Sequence, residues 1–286
     1  IDRLDVCISR LHEGLRFITE DQFAVKAFQF SNLAMLMQMK HEKKYNDLST
    51  NLGGYKFFEK DNNMVSTFNE INYLEDSEIA DSEDKEPRWR PFQLAYFLLT
   101  AESAVKSESK YRETVDLIWF ATGGGKTEAY LFVSAFLIFY NKLIKDEHKC
   151  PEIIMRYTLS LLTQDQFVRS TRFITACEKI RRDNLDKLGA NQISIGLWIG
   201  GAGTPNVVGG EYGAHEVYKK LVAEKEPQCK SPFILGTCPW CGTNMVPYNK
   251  KDNSHYGFDV DEYNFQLKCP SVKCEFHKEL PVQVID

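Results

Sequence analysis

Residues 115–131 constrain this chain more than any other stretch. Val115 to Phe120 is a short apolar run rich in β-branched and aromatic side chains, the pattern of a buried strand. It stops at Thr122-Gly123-Gly124-Gly125, and the spacing predicts a helix starting directly after Lys126-Thr127. Strand, glycine loop, Lys-Thr and helix together make a P-loop. Successive glycines let the backbone curl so that several N–H groups form a nest for phosphate oxygens, and the helix adds the positive end of its dipole at the same point. Lys126 would reach the β- and γ-phosphates, and the Thr127 hydroxyl would coordinate Mg²⁺. Thr122, Gly123, Gly124, Gly125, Lys126, Thr127 and Glu128 are the residues expected around ATP.

The general pattern opens with a Gly; here that place is Phe120. Without that Gly the loop resembles motif I of superfamily 2 helicases more than a kinase or GTPase loop. Upstream, Pro87-Arg88-Trp89-Arg90-Pro91-Phe92-Gln93 resembles the Q motif that precedes motif I in the same proteins. A Gln amide can pair with adenine through one donor and one acceptor, so Gln93 is a candidate for the base, with Phe92 or Trp89 stacking on it.

Downstream, Ile153-Ile154-Met155 reads as a second strand, Asp165 to Leu188 as a long amphipathic helix, and Ile193 to Ile199 as a third strand ending at Gly200-Gly201. This alternation predicts an α/β fold: a RecA-like parallel sheet flanked by helices, with its ligands beyond the carboxyl ends of the strands. The P-loop, the segment from Arg156 to Thr163 and Gly200-Gly201 all fall at such ends. The basic residues Arg169, Arg172, Lys179, Arg181 and Arg182 on the long helix read mostly as a solvated face.

At 286 residues the chain is long enough for about two domains. Residues 1–74 form an expected N-terminal helical accessory region, with Leu4, Ile8, Leu11, Leu15 and Ile18 at helical spacing and a second helix from Phe23 to Met39. Met35, Met37 and Met39 read as core filler. Residues 75–87 are an acidic linker, a solvated loop and not a DNA-mimicking tail. The first RecA-like domain would span 88–228, a zinc-binding insertion 229–280, and residues 281–286 the start of a further strand of the same sheet. The chain lacks an initiator Met and ends in an apolar run, so it reads as a piece of something longer.

Of eight cysteines, Cys7, Cys150, Cys177 and Cys229 are scattered and read as ordinary reduced thiols. Cys238, Cys241, Cys269 and Cys274 are spaced Cys-x₂-Cys, long loop, Cys-x₄-Cys. In a chain without secretory features that spacing points to zinc, in a closed Cys₄ site that is structural and not catalytic. Pro239 and Gly242 allow the tight turn of the first knuckle; His277, Cys229 and His255 are alternative ligands. A composition of 43% hydrophobic and 26% charged residues fits a globular protein with ample core. The net charge of −5 gives no global pull toward nucleic acid, so any DNA contact has to be local. No apolar run is long enough to span a membrane, and no signal peptide is present, so a cytoplasmic location is expected.

The stretches "DLIWFATGGGKTEAYL", "MRYTLSLLTQDQF", "ISIGLWIGG" with Thr204-Pro205-Asn206, and "CPWCG" resemble the DrmA-type helicases of the DISARM phage-defence system, over roughly residues 88–286. The resemblance implies an ATP-dependent superfamily 2 helicase or translocase acting on DNA with partner defence proteins. In such a protein Arg156, Thr158 and Thr163 would hold single-strand phosphates, and Gly200 and Gly201 would let the nucleic-acid backbone approach. Ser160 stands where such proteins usually carry Arg, which weakens one expected phosphate contact. The Asp-Glu pair and arginine fingers of a complete motor are not legible here: Asp146-Glu147 sits among charges after a helix with the wrong spacing, Asp261-Glu262 lacks the preceding apolar strand, and Asp286 ends such a strand only at the last residue given. The segment by itself is therefore expected to bind ATP–Mg²⁺ weakly and barely hydrolyse it. The alternative is a non-translocating, ATP-gated clamp for DNA or a partner, with a structural zinc module.

Overall fold

A computed structural model describes residues 2–51, 71, 73, 88–119, 123–144, 151–156, 160–198, 205, 207–223, 231–247 and 256–284. The acidic linker 75–87 lies outside them, as do Phe120, Thr122, Cys150, Thr158, Gly200, Gly201, Cys229 and His255. The described residues are mostly helical, with a small parallel pair of strands and a short hairpin. Among them no helix is long and apolar enough to cross a membrane. The chain divides into two compact units, the first comprising Ile1–Met37, Tyr73–Met155 and Lys179–Asn191, the second Gln38–Asn72, Arg156–Glu178 and Gln192–Asp286.

The first unit is built on α1 (Asp2–Glu20), the first part of α2 (Gln22–Asn51), α3 (Pro91–Val105) and α4 (Lys126–Leu143). Its core is aromatic. Phe97 and Phe132 lie 4.6 Å apart between ring centroids, Phe28 meets both, and Phe17 meets Phe136 and Tyr140. Burying rings of this size removes the most water-exposed apolar area per residue, and their tilted and edge-on geometries add to it. Met35 and Met37 are buried, as core filler should be, but Met39 is exposed and is not core.

Helix α1 is present but turns an unexpected face inward. Leu4, Ile8 and Leu15 are exposed, while Arg10 and Gly14 are buried and Phe17 joins the aromatic core. The cause is Gly14: a Cβ there would lie on the Leu98 carbonyl of α3. With no side chain, the two helices pack backbone to backbone on that face.

The run ahead of the glycine loop also departs from expectation. Residues 114–119 are not in a strand, and no strand pairs with them among the described residues. Val115, Leu117 and Trp119 are 94%, 79% and 86% exposed, whereas Asp116 and Ile118 are half-buried. Alternation at period two is present, but a strand assignment needs a hydrogen-bonded neighbour. Ile153-Ile154-Met155 is likewise irregular, with Ile154 exposed.

The second unit holds the rest of α2 and most of α5 (Ser160–Asp183); a four-residue helix, α6 (Leu185–Leu188), follows α5 in the first unit. The third expected strand is found as β1 (Ile195–Leu197), which pairs in parallel with the C-terminal β4 (Val282–Val284) in the register Ile195↔Val282. Helix α7 (Ala214–Ala223) and the antiparallel hairpin β2 (Phe258–Val260) and β3 (Phe265–Leu267) complete it. On α5 the basic residues are not a solvated face. Arg172 is largely buried beside Glu42 and Tyr45, and Arg181 is buried and donates to the carbonyls of Gly189 and Ala190. The fully buried Glu178 accepts the backbone N–H of Ile193 at 2.9 Å, just ahead of β1.

Candidate functional site

The glycine loop is gripped from the start of α3. Pro91 at the first helical position pre-sets the backbone, and Gln93 reaches back to accept the Arg90 N–H at 2.8 Å. The other end of the same amide donates to the Gly125 carbonyl at 2.8 Å. Arg90 adds a guanidinium N–H to the Gly124 carbonyl at 2.9 Å. Gln93 is thus buried with both ends of its amide engaged, and the half-buried Trp89 is bonded to Asn32 and packed 4.4 Å from Phe132. Phe92 lies beside them at the second position of α3, half-buried.

Gly125 caps α4 in the left-handed region, φ 87° and ψ 27°, and Gly123 is left-handed at φ 79°. A side chain at Gly125 would be strained there and its Cβ would sit 2.8 Å from the Gln93 amide nitrogen. The loop therefore needs glycine for two independent reasons. It delivers Lys126, Thr127 and Glu128 to the first turn of α4. The anchoring of α4 continues at its far end: the Asp21 carboxylate caps α2 through the N–H groups of Phe23 and Ala24 and also accepts from Lys106 and from the Tyr140 hydroxyl. Burial pushes the Asp21 carboxyl up, but these donors outweigh it and hold it below the usual range.

Of the expected DNA-contacting residues, Arg156 is described and exposed, Thr163 lies within α5, and Thr158, Gly200 and Gly201 fall outside the described residues.

The four cysteines converge. The sulfurs of Cys238, Cys241, Cys269 and Cys274 all lie within 4.8 Å of one another, all buried, and the Cys241 and Cys269 sulfurs are 3.5 Å apart. Tetrahedral zinc with Zn–S near 2.3 Å places its sulfurs about 3.8 Å apart, so the donor set fits that ion. The first knuckle is closed by Cys238 N–H to the Thr243 carbonyl and Gly242 N–H to the Cys238 carbonyl, with Gly242 at φ 73°. The second is closed by Cys269 N–H to the Phe276 carbonyl and by the Phe276 N–H to the Cys274 sulfur. Burial raises the Cys238 thiol well above its ordinary value, while hydrogen bonds from Cys238, Cys269 and Cys274 pull the Cys241 thiol well below its own. His277 is not among the four; its Nδ1 lies 2.8 Å from the Cys269 carbonyl and so braces a ligand.

Sequence reasoning missed His41. On α2 it is buried, with Nδ1 donating to the Trp240 carbonyl at 2.6 Å and its ring stacked 3.9 Å from the Trp240 ring. Burial lowers its pKa from 6.5 to about 4, so it is neutral at physiological pH. Its place on a helix nearly two hundred residues from the knuckle (199 apart) left no signal in the spacing.

No protein-family model matches the chain. It is similar to the DISARM protein DrmA of Bacillus paralicheniformis, 32% identical over 294 aligned residues. The alignment covers 98% of this chain, so the likeness extends through the N-terminal helices as well as the glycine loop and the cysteine knuckles. Along almost its entire length, then, this chain is similar to DISARM protein DrmA, and it spans 23% of that protein.

Proposed function

We propose that this chain is the ATP-binding half of a superfamily 2 DNA helicase or translocase, with RecA-like architecture, that acts in bacterial phage defence. The observation that supports this most directly is the glycine loop, capped in the left-handed region by Gly125 and leading Lys126 and Thr127 into the first turn of α4. The likeness to a DISARM protein supports the defence role.

In this reading the loop amides and Lys126 hold the triphosphate and Thr127 holds Mg²⁺, which supplies charge neutralisation on the phosphates. Phe92 and Gln93 flank the base. Because the Gln93 amide is bonded to Arg90 and Gly125, adenine recognition by Gln93 requires exchange of one of those bonds. Arg156, Thr158, Thr163, Gly200 and Gly201 contact single-stranded DNA, or a junction of single and double strand, and other defence proteins are the partners. The cysteine cluster carries one structural zinc.

Titration calorimetry with ATP–Mg²⁺ tests the proposal. Binding is expected in the wild type and lost in Lys126→Ala. A folded wild-type protein that leaves saturating nucleotide unbound overturns the motor reading. Strand displacement by the full-length protein, abolished by the same substitution, tests the DNA activity.

A further inference from the structure

Resting on the nucleotide-binding reading above, we infer that the Arg10–Asp116 ion pair is a positioning device for the glycine loop, which makes α1 a working part of the nucleotide site. Arg10 sits in the middle of α1 and meets Asp116 as a fork, Nη1 to Oδ1 and Nη2 to Oδ2, both at 2.8 Å. The side chains are 8% and 16% exposed. Nη2 also donates to the Leu99 carbonyl of α3 at 2.9 Å, and the guanidinium lies 4.7 Å over the Tyr111 ring.

The place of Asp116 gives the pair its meaning. Residues 115–119 lead into the glycine loop, and no backbone ladder holds them among the described residues. Val115, Leu117 and Trp119 face solvent, which leaves Asp116 and Ile118 as the inward tethers of the ribbon. On the other side of the loop, Arg90 and Gln93 at the start of α3 hold Gly124 and Gly125. Through Leu99 and Asp116, Arg10 ties the ribbon to that same helix. One helix thus fixes both the entry to the loop and its exit, and Arg10 closes the circuit.

Stability alone is a poor reason for such a pair. A buried ion pair can usually be exchanged for apolar residues of similar volume with no loss of stability, because desolvation cancels most of the attraction. What the planar fork supplies and an apolar contact does not is direction, since two parallel N–H···O bonds fix the angle as well as the distance.

The test uses the intact polypeptide and a fluorescent N-methylanthraniloyl ATP with Mg²⁺. The paired substitution Arg10→Met/Asp116→Leu is expected to keep the melting temperature while weakening nucleotide binding roughly tenfold. Arg10→Lys, which keeps the charge but loses the fork, falls between it and wild type. A purely structural pair would leave affinity unchanged in the variant whose melting is preserved, and that result overturns the inference. Should the paired variant fail to fold, the isosteric Asp116→Asn decides on the same readout: equal affinity overturns, weaker binding at preserved melting supports. Lys126→Ala separates the two levels. If it binds nucleotide as wild type does, the loop reading falls and this inference with it; if Lys126 matters and the pair does not, this inference alone falls.

Discussion

The glycine loop and the cysteine module are both tight backbone turns that need a left-handed glycine, Gly125 in one and Gly242 in the other, yet they are held in opposite ways. The cysteine module closes mostly on itself, with His41 of α2 as a long-range brace on Trp240. Its cysteines lie between residues 238 and 274, its knuckle bonds are local, and the Trp240 and Phe276 rings meet edge to face at 5.6 Å. The loop owns almost none of its supports: Gln93 is 32 positions away, and the ion pair on the ribbon joins residues 106 positions apart. A metal site concentrates its binding energy in a few bonds that assemble their own surroundings. A phosphate nest has only weak amide dipoles to offer and has to be held in shape by neighbours that contribute no ligand.

The largest expected effect breaks the module and spares the loop. Cys238→Ser/Cys241→Ser, or a strong chelator, should remove zinc and unfold residues 231–247 and 256–280, since structural zinc contributes on the order of 10 kcal/mol to small domains. Metal analysis and hydrogen exchange read this, with the aromatic cluster around Phe97 and Phe132 keeping its protection. Zinc retained at one per chain by the double variant would remove the four-cysteine assignment.

Acid should probe the same region next. His41 is depressed to about 4 when folded and titrates at 6.5 when unfolded, so between those values the unfolded chain binds the extra proton. Its stabilising contribution is complete above pH 6.5, falls as pH drops through the window, and is gone below 4, a loss of about 3 kcal/mol. Urea midpoints of zinc-loaded protein across this range should show the slope. His41→Asn, which keeps a donor for the Trp240 carbonyl but cannot titrate, should lack it.

Gly14→Ala tests the non-local support of the first unit. A methyl group on the Leu98 carbonyl forces α1 and α3 apart, at a cost of about 2 kcal/mol in denaturant unfolding. The smallest effect compares the two glycines directly. Gly125→Ala and Gly242→Ala should each cost about 1 kcal/mol from the left-handed backbone. Only the first should weaken nucleotide binding, and neither should release zinc.

This contrast also decides what could be read from residues in order. The cysteine set and the loop were legible because spacing along the chain carries them, and β1 and both long N-terminal helices were legible from periodicity. Arg10 was not, because a charged residue within an apolar-periodic helix reads as surface, and its partner lies far along the chain. The inward face of α1 was misjudged for a related reason: Gly14 adds no apolar side chain to a pattern, yet the absence of a side chain is what allows the contact. Gln93 was recognised as important, but its bonds to Arg90 and Gly125 depend on where the loop returns in space. Arg172 and Arg181 show the same limit, since a buried guanidinium and a solvated one have the same spelling.

The ribbon from Val115 to Trp119 carries a practical consequence. Three large apolar side chains stand open on one side of an extended backbone whose amides have no ladder partner among the described residues. Such an edge is a template onto which any free strand can add, including the same segment of another molecule. Whoever purifies this stretch in isolation should meet concentration-dependent clumping first, and a charged residue in place of Leu117 is the simplest means of keeping samples monodisperse.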